Sequence, residues 1–278
     1  MRYRIFKDKI EVEETPDFNI EDTLECGQVF RYKVADNGYE VYALNHKAKI
    51  CCQKGGATIF CDDPKFFEKY FDFDTNYGTI KTELKGEDLL DRAIAAGSGI
   101  RILRQDPVET IISFIISANN NIPRIKKILE RICEGYGSKM DGYYAFPTIE
   151  QLSTIPQELF SEIGCGYRAP YLFKTIKMLS EGFPLEEIGN MPIVEARKKL
   201  TTLYGVGGKV ADCILLYGYH RTDVFPCDTW IKKVYVQCYN GNEKLSAEKI
   251  SEYFVSLYGN NAGFAQQYLY YYKRLKEK

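Results

Sequence analysis

The C-terminal half of the chain contains a lysine and an aspartate that could act together on a sugar, the lysine as nucleophile and the aspartate as the group that stabilises positive charge. Lys209 stands in the stretch GVGGKVADCILL, where a glycine-rich turn opens an apolar helix, and Asp228 follows in FPCDTW. An ammonium group in the first turn of a helix faces the positive end of the helix dipole, and partial burial disfavours its charge further. Because both effects favour the free amine, we expect Lys209 to be a nucleophile.

Asp228 lies where the N-cap of the next helix belongs, since it follows Pro226 and precedes the apolar segment TWIKKVYV. The helix terminus that it caps is expected to keep the carboxylate ionised. An ionised carboxylate beside a neutral amine could stabilise a sugar cation while the amine attacks the anomeric carbon. A plain helix cap with a surface lysine explains the same local signals, so both interpretations stay open at this point.

The glycines before Lys209 predict a helix-hairpin-helix over residues 193–219. Gly205, Gly207 and Gly208 permit positive φ and leave N–H groups unshielded at a helix start, which attracts a phosphate. Val210 stands where a Walker A loop needs Ser or Thr and where a dinucleotide fingerprint needs glycine, so both motifs are excluded. Glycine turns between helices also occur without any ligand, so the hairpin alone leaves a DNA-backbone contact and a purely structural turn open.

The elements that must position these residues change in type along the chain. Up to about residue 72, short segments such as YRIFKDKIEVEE and YEVYALNHKAKICCQ are separated by NG, KGG and DDP turn signals, which predicts an antiparallel sheet. From DPVETIISFIISANN onward, apolar residues recur at helical spacing. The sequence therefore predicts an α+β fold, in which an antiparallel sheet domain over residues 1–98 packs directly on a mainly helical bundle over residues 99–278.

Composition excludes several classes of protein. No apolar run suggests a membrane span, and the N-terminal MRYRIFKDKIEVEE is too charged for a secretory leader. We expect an intracellular monomer, cytoplasmic and at the nucleoid if the source is prokaryotic. The nine cysteines form no CxxC pair and only two histidines are present, so we expect no metal and no organic cofactor. The net charge is only −1, yet the basic excess lies after residue 95, where a nucleic acid could bind.

Four blocks of sequence resemble the helix-hairpin-helix DNA glycosylases, and among them the 8-oxoguanine DNA glycosylase/lyases. They are LECGQVFRY, ISANNNIPRI, GCGYRAPYL, and LYGVGGKVADCILL with FPCDTW, in the family's order between about residues 20 and 275. The resemblance implies that the partner is double-stranded DNA containing oxidised guanine and that the damaged base is extruded and excised. It also implies that Lys209 forms a Schiff base leading to β-elimination, and that Asp228 supports the cationic sugar.

The resemblance further assigns the residues that surround the flipped base. The backbone carbonyl of Gly27 accepts from N7–H of 8-oxoguanine, Gln266 contacts the pairing edge of the base, and Cys213 and Tyr270 sandwich it. Without the resemblance, Cys213 and Tyr270 are typical of a core and of an apolar helix face.

On the DNA side, the resemblance implies that Asn119 enters the space that the extruded base vacates. Tyr167 wedges beside the orphan base, which Arg124 and Arg168 read with their forked donors. A helix C-cap for the asparagines and loop packing for the tyrosine are the structural alternatives. The phosphate contacts are assigned to Gly205, Gly207, Gly208, Val210 and Trp230.

Three positions depart from the family's pattern. Trp230 replaces a histidine that commonly lies near a phosphate, and Tyr270 replaces a phenylalanine, which keeps the stacking face and adds a hydroxyl. Pro123 replaces a small residue, and its fixed φ alters how Asn119 and Arg124 reach the orphan base. We therefore expect a weaker preference for cytosine opposite the lesion than is usual.

Three other functions remain possible from the sequence. A pyrimidine-specific relative usually carries a four-cysteine iron–sulfur site near its C-terminus, but no cysteine follows Cys238. A monofunctional alkylbase glycosylase has the aspartate and lacks the lysine. A non-catalytic helix-hairpin-helix module that binds DNA explains the glycine turn but leaves Lys209 and Asp228 unexplained.

Overall fold

The computed structural model describes residues 1–276. Residues 277 and 278 lie outside this range. They belong to the basic end of the sequence, KRLKEK, and to the helical domain predicted over residues 99–278. No helix among the described residues is both long and apolar enough to cross a membrane.

Six strands form one antiparallel sheet, which confirms the sheet expected from the sequence. Their spatial order is β1-β2-β6-β5-β4-β3. The alternating pattern of the strands buries one face, on which Ile59 pairs with Ile10 on one side and Ile50 on the other. The strands are β1 (Tyr3–Ile5), β2 (Lys9–Glu13), β3 (Tyr32–Ala35), β4 (Gly38–Ala43), β5 (His46–Gln53) and β6 (Gly56–Cys61).

Four short helices, which the strand patterns did not indicate, lie in the first hundred residues. They are α1 (Ile20–Glu25), α2 (Pro64–Tyr70), α3 (Tyr77–Glu83) and α4 (Asp88–Ala96). Side chains of Asn19, Asp63 and Asn76 cap the first three of them, so their starts are fixed by local hydrogen bonds.

The rest of the chain is the expected helical bundle. Its helices are α5 (Pro107–Ser117), α6 (Ile122–Tyr136), α7 (Ile149–Ser153), α8 (Gln157–Ile163), α9 (Ala169–Ser180), α10 (Leu185–Ile188), α11 (Ile193–Leu200), α12 (Gly208–Gly218), α13 (Thr229–Cys238), α14 (Ala247–Tyr258) and α15 (Ala262–Lys276). The fold is therefore α+β, as predicted.

The buried apolar residues form two cores. One lies under the sheet and includes Phe67 and Phe71 of the segment that follows β6. The other fills the bundle and also takes in Tyr77 of α3 and Leu90 of α4, which lie before residue 98 in the chain. A domain boundary at residue 98 stays a proposal.

A buried ionic network joins the two cores around Asp72. This residue is 0% exposed, has a positive φ of 56°, and accepts hydrogen bonds from Thr75 Oγ1 (2.7 Å), Tyr77 Oη (2.9 Å) and Arg104 Nε (2.7 Å). His220 Nε2, just beyond α12, lies 3.4 Å from the carboxylate. Because α12 also carries Lys209, the network ties the sheet domain to the helix of the predicted nucleophile.

The groups around Asp72 keep its buried carboxylate ionised. Burial alone would raise the pKa of Asp72, but the hydrogen bond and charge of His220, followed by Thr75 and Arg104, lower the pKa to about 2. Since this pKa is below the ordinary value of 3.8, the ionised carboxylate contributes its full stabilisation of the fold at a pH above 3.8. The stabilisation is lost as the pH falls towards 2.

Replacing Asp72 by Asn should therefore destabilise the protein. The variant leaves the positive charge of Arg104 without its buried partner, so we expect the free energy of unfolding at pH 7 to fall by about 3 kcal/mol in urea titrations. The difference from the native protein should narrow as the pH is lowered. Asp88→Asn is the matched control, because the 85% exposed Asp88 carboxylate pairs with Arg92 in solvent. Equal effects of the two substitutions would contradict this account.

Candidate active site

A cavity of about 800 Å³ opens where the sheet domain meets the bundle. It is lined by residues from the loop after α1, the end of α5, the start of α6, and the first turns of α12 and α13. Eight of the residues predicted from the sequence lie along it: Gly27, Asn119, Arg124, Lys209, Val210, Asp228, Trp230 and Tyr270. The structure thus brings together side chains from distant parts of the sequence.

The helix-hairpin-helix is formed by α11 and α12, within the predicted range. Gly205 has φ 79°, and a Cβ there would lie 3.0 Å from Cβ of Tyr171, so the turn requires glycine. Gly207 is the N-cap of α12, contributes no side-chain cap, and has open space where its Cβ would stand. The first N–H groups of α12 are therefore accessible to an anion such as a phosphate.

Lys209 occupies the first turn of α12, as expected, and is half-buried. Its Nζ lies 5.4 Å from the ring centroid of Phe114, and Cys213 follows one turn further along the helix. Burial acts to lower the pKa of Lys209, but Cys213 and the Asp228 carboxylate oppose it, so that the pKa lies above its ordinary value. The sequence-based expectation of a neutral amine is wrong for the free protein, because it considered only the dipole and burial.

Asp228 is the N-cap of α13, as predicted, and its Oδ1 accepts from the backbone N–H of Ile231 at 2.9 Å. Burial raises the pKa of Asp228, and the hydrogen bond from Ile231 and the charge of Lys209 only partly oppose this effect. The expectation that the cap would set the ionisation of Asp228 is therefore corrected: its burial in the cavity wall is the larger influence. Trp230, two residues further along, lies at the rim with Lys233 Nζ 4.7 Å from its ring centroid.

The loop that carries Gly27 is held from both domains. Gln28 is fully buried and donates to the carbonyl oxygens of Thr23 (2.8 Å) and Arg101 (2.7 Å). Gln267 of α15 donates to the carbonyl of Cys26 at 3.3 Å. Gly27 itself has φ 88°, a conformation that favours glycine. These bonds fix the backbone of Gly27 in the cavity wall.

Among the other residues assigned to the damaged base, Tyr270 lines the cavity, whereas Cys213 and Gln266 are buried and are not among its lining residues. Burial raises the pKa of Cys213 to about 11, although the charge of Lys209 opposes this rise. Gln266 is 4% exposed, and its Oε1 has no hydrogen-bond partner among the described residues. An unpaired buried amide oxygen is uncommon in folded proteins and is consistent with a ligand-binding role.

Arg168 holds the backbone around Asn119, just beyond the end of α5. Asn119 has φ 51°. Arg168 is 3% exposed, and its guanidinium donates to the carbonyls of Ala118 (2.9 Å), Asn119 (2.8 Å) and Cys165 (3.4 Å). The exposed Tyr167 also donates to Ala118 O, at 3.1 Å. Four of the five N–H groups of Arg168 are thus engaged in the free protein. That Arg168 reads the orphan base stays a prediction, and it requires some of these bonds to be released when DNA binds.

Arg124 remains accessible near the same edge of the cavity. It is exposed, and its Nη2 donates to the carbonyl of Gly164 at 3.0 Å. Pro123 lies in the first turn of α6, where its missing N–H and fixed φ suit a helix start. Pro123 therefore fixes the chain direction between Asn119 and Arg124 without disturbing the helix.

Two family models match the chain in succession. Residues 9–111 match the N-terminal domain of 8-oxoguanine DNA glycosylases, and residues 112–259 match the HhH-GPD superfamily of base excision DNA repair proteins.

The chain belongs to the HhH-GPD superfamily.

Similar proteins cover most of the chain. A probable N-glycosylase/DNA lyase of Methanothermobacter thermautotrophicus is 32% identical over 231 residues, which are 74% of this chain and 73% of that protein. The N-glycosylase/DNA lyase of Saccharomyces cerevisiae is 38% identical over 163 residues, covering 52% of this chain but only 43% of the yeast protein. The 8-oxoguanine glycosylase/lyase of Clostridium acetobutylicum, solved with DNA containing 8-oxoguanine opposite cytosine, is 37% identical, with a TM-score of 0.94 over 100% of this chain and 99% of that chain.

Sequence reasoning missed two aromatic residues of this HhH-GPD site. The ring of Phe114 lies near the Lys209 amine, stacks on Tyr217 with centroids 5.4 Å apart, and meets the edge of Phe30 at 5.8 Å. In IISFIIS, Phe114 is one apolar residue in an apolar helix, so nothing local distinguishes it from core. Phe30 stands in CGQVF, three residues after Gly27, and this closeness in sequence could have indicated that Phe30 belongs to the site.

Proposed function

We propose that this HhH-GPD protein excises 8-oxoguanine from duplex DNA and cleaves the resulting abasic site as a lyase. The observation that carries the proposal is the placement of Lys209 and Asp228 on the same cavity as Gly27 and Tyr270. The similarity to N-glycosylase/DNA lyases and to an 8-oxoguanine glycosylase/lyase bound to DNA supports both activities. The enzyme is thus a bifunctional DNA glycosylase and abasic-site lyase.

In the reaction that we assign, the Lys209 amine forms a bond to C1′ of the damaged nucleotide. The bond from C1′ to the base breaks, and the base leaves with its electron pair. Opening of the sugar ring gives a Schiff base, after which loss of a 2′ proton expels the 3′ phosphate by β-elimination. Asp228, when ionised, stabilises the positive charge that develops on the sugar. Because the pKa of Lys209 is raised in the free protein, the amine must give up a proton before it attacks.

The other residues are assigned to recognition and to DNA binding. We propose that Gly27, Gln266, Cys213 and Tyr270 receive the extruded base. Asn119 enters the space that the extruded base vacates, and Tyr167 wedges beside the orphan base. Arg124 and Arg168 read that base. Gly205, Gly207, Gly208, Val210 and Trp230 form the surface for a DNA phosphate. We also propose that the protein acts as a monomer on intracellular DNA.

A DNA-binding module without catalytic activity is the main alternative. It would use the accessible N–H groups of α12 but has no need of an amine beside an aromatic ring and a half-buried carboxylate.

Among residues 1–276, no group of three or more His, Cys, Asp or Glu side chains is placed to hold a metal ion. The assigned reaction proceeds through the lysine and requires no such ion.

Borohydride trapping tests the nucleophile and the substrate together. With a duplex carrying one 8-oxoguanine, the native chain should form a covalent adduct, while Lys209→Gln should form none, because the amide cannot make a Schiff base. Lys177→Gln is the matched control, since Lys177 is exposed on α9 and outside the cavity. An adduct with Lys209→Gln, or equal trapping on undamaged DNA, would contradict the proposal.

The preference for the orphan base gives a second test. Because most donors of Arg168 are already engaged and Pro123 fixes the chain between Asn119 and Arg124, we expect excision rates opposite the four bases to differ by less than about tenfold, or 1.4 kcal/mol. Single-turnover release of 8-oxoguanine from four duplexes measures this. Excision that is a hundredfold faster opposite cytosine would contradict the expectation.

A further inference from the structure

We propose that Arg274 is a positioning residue of the lesion-base pocket, which holds the Tyr270 ring and the Gly27 segment in a fixed relation. The inference rests on the proposed function of that pocket. Arg274 is not among the residues that line the cavity, so it acts through its neighbours and not by touching the base.

Arg274 contacts both walls of the pocket. It lies one helical turn after Tyr270 on α15, so the two side chains share a face of the helix. The guanidinium carbon is 5.5 Å from the ring centroid of Tyr270. Nη1 donates to the carbonyl oxygen of Glu25, in the segment that leads to Gly27, at 3.3 Å. One side chain therefore links the last helix to the C-terminal end of α1, two residues before Gly27.

The space beside Gly27 shows how closely these parts approach. A Cβ built on Gly27 would lie 3.1 Å from Arg274 Nη1 and 3.4 Å from the Tyr270 hydroxyl. The absence of a side chain at residue 27 is thus what allows the two α15 side chains to reach the loop. A shift of Arg274 would free the Tyr270 ring and loosen the Gly27 backbone at the same time.

The forked, planar guanidinium suits this double contact. It can lie over an aromatic ring and still direct an N–H at a carbonyl, whereas a lysine ammonium is a point charge with no planar face. Burial raises the pKa of Tyr270, and Arg274 is the largest opposing charge, in agreement with its position beside that side chain. Loss of the guanidinium should therefore slow excision of a damaged base, which must be held in the pocket. It should leave cleavage at an abasic site, where no base is present, nearly unchanged.

The chain offers a matched control on the same helix. Lys276 Nζ lies 4.6 Å from the ring centroid of Tyr272, so it makes the same kind of cation–aromatic contact. Lys276 is exposed and is not among the residues that line the cavity. Lys276→Met therefore removes one positive charge and one cation–aromatic contact from α15 without touching the pocket.

The experiment compares two single-turnover reactions in the full chain. The first is release of 8-oxoguanine from a duplex, which needs the base pocket, and the second is incision of a duplex that already contains an abasic site, which has no base to hold. For Arg274→Met we expect 8-oxoguanine release to fall about tenfold and abasic-site incision to stay within about twofold of native. Arg274→Lys should be intermediate, and Lys276→Met should match the native chain in both reactions.

The outcomes separate the possible failures. Unchanged 8-oxoguanine release in Arg274→Met would overturn the proposal, and so would an equal fall in both reactions, because that pattern indicates a general structural or DNA-binding role. Incision of the abasic duplex also shows whether each variant is folded. If the native chain incises abasic DNA but releases no 8-oxoguanine, the proposed substrate is wrong, and the assigned role of Arg274 fails with it.

Discussion

The positive charge of Lys209 in a half-buried apolar site is the constraint on which the rest of the site depends. An amine can attack a sugar only when it is neutral, yet the Asp228 carboxylate and Cys213 raise its pKa above the ordinary value. The aromatic ring of Phe114 lies beside the same amine. These surroundings favour the ammonium form in the resting protein, so the amine must lose a proton before it can attack.

The architecture follows from the need to surround that amine from several directions. The hairpin supplies Lys209 together with accessible helix N–H groups, and α13 supplies Asp228 as its own N-cap. The sheet domain contributes Gly27, whose loop is fixed by the buried Gln28 and by Gln267 of α15. Residues from both parts of the chain line the cavity, and the buried network around Asp72 links the sheet domain to His220, which follows α12.

The sequence predicted features that depend on local signals and missed those that depend on tertiary neighbours. The hairpin, the Asp228 cap and the antiparallel sheet follow from spacing and turn chemistry, and the structure contains all three. The pKa direction of Lys209 depends on Asp228, and the engaged donors of Arg168 depend on carbonyls about fifty positions away, which no local pattern reports. Phe114 and Arg274 lie in an ordinary apolar helix and an ordinary basic helix end, so only their contacts reveal them.

Titration of the Lys209 amine by NMR, with Lys209→Gln used to assign the signal, tests the central claim most directly. The account predicts that Lys209 titrates above its ordinary pKa of 10.5 in the native protein and at a lower pH in Asp228→Asn, which keeps the capping oxygen but removes the charge. Asp223→Asn, which alters a carboxylate paired with Arg221, should leave the titration unchanged. A native Lys209 that titrates well below 10.5, or one indifferent to Asp228→Asn, would contradict the account.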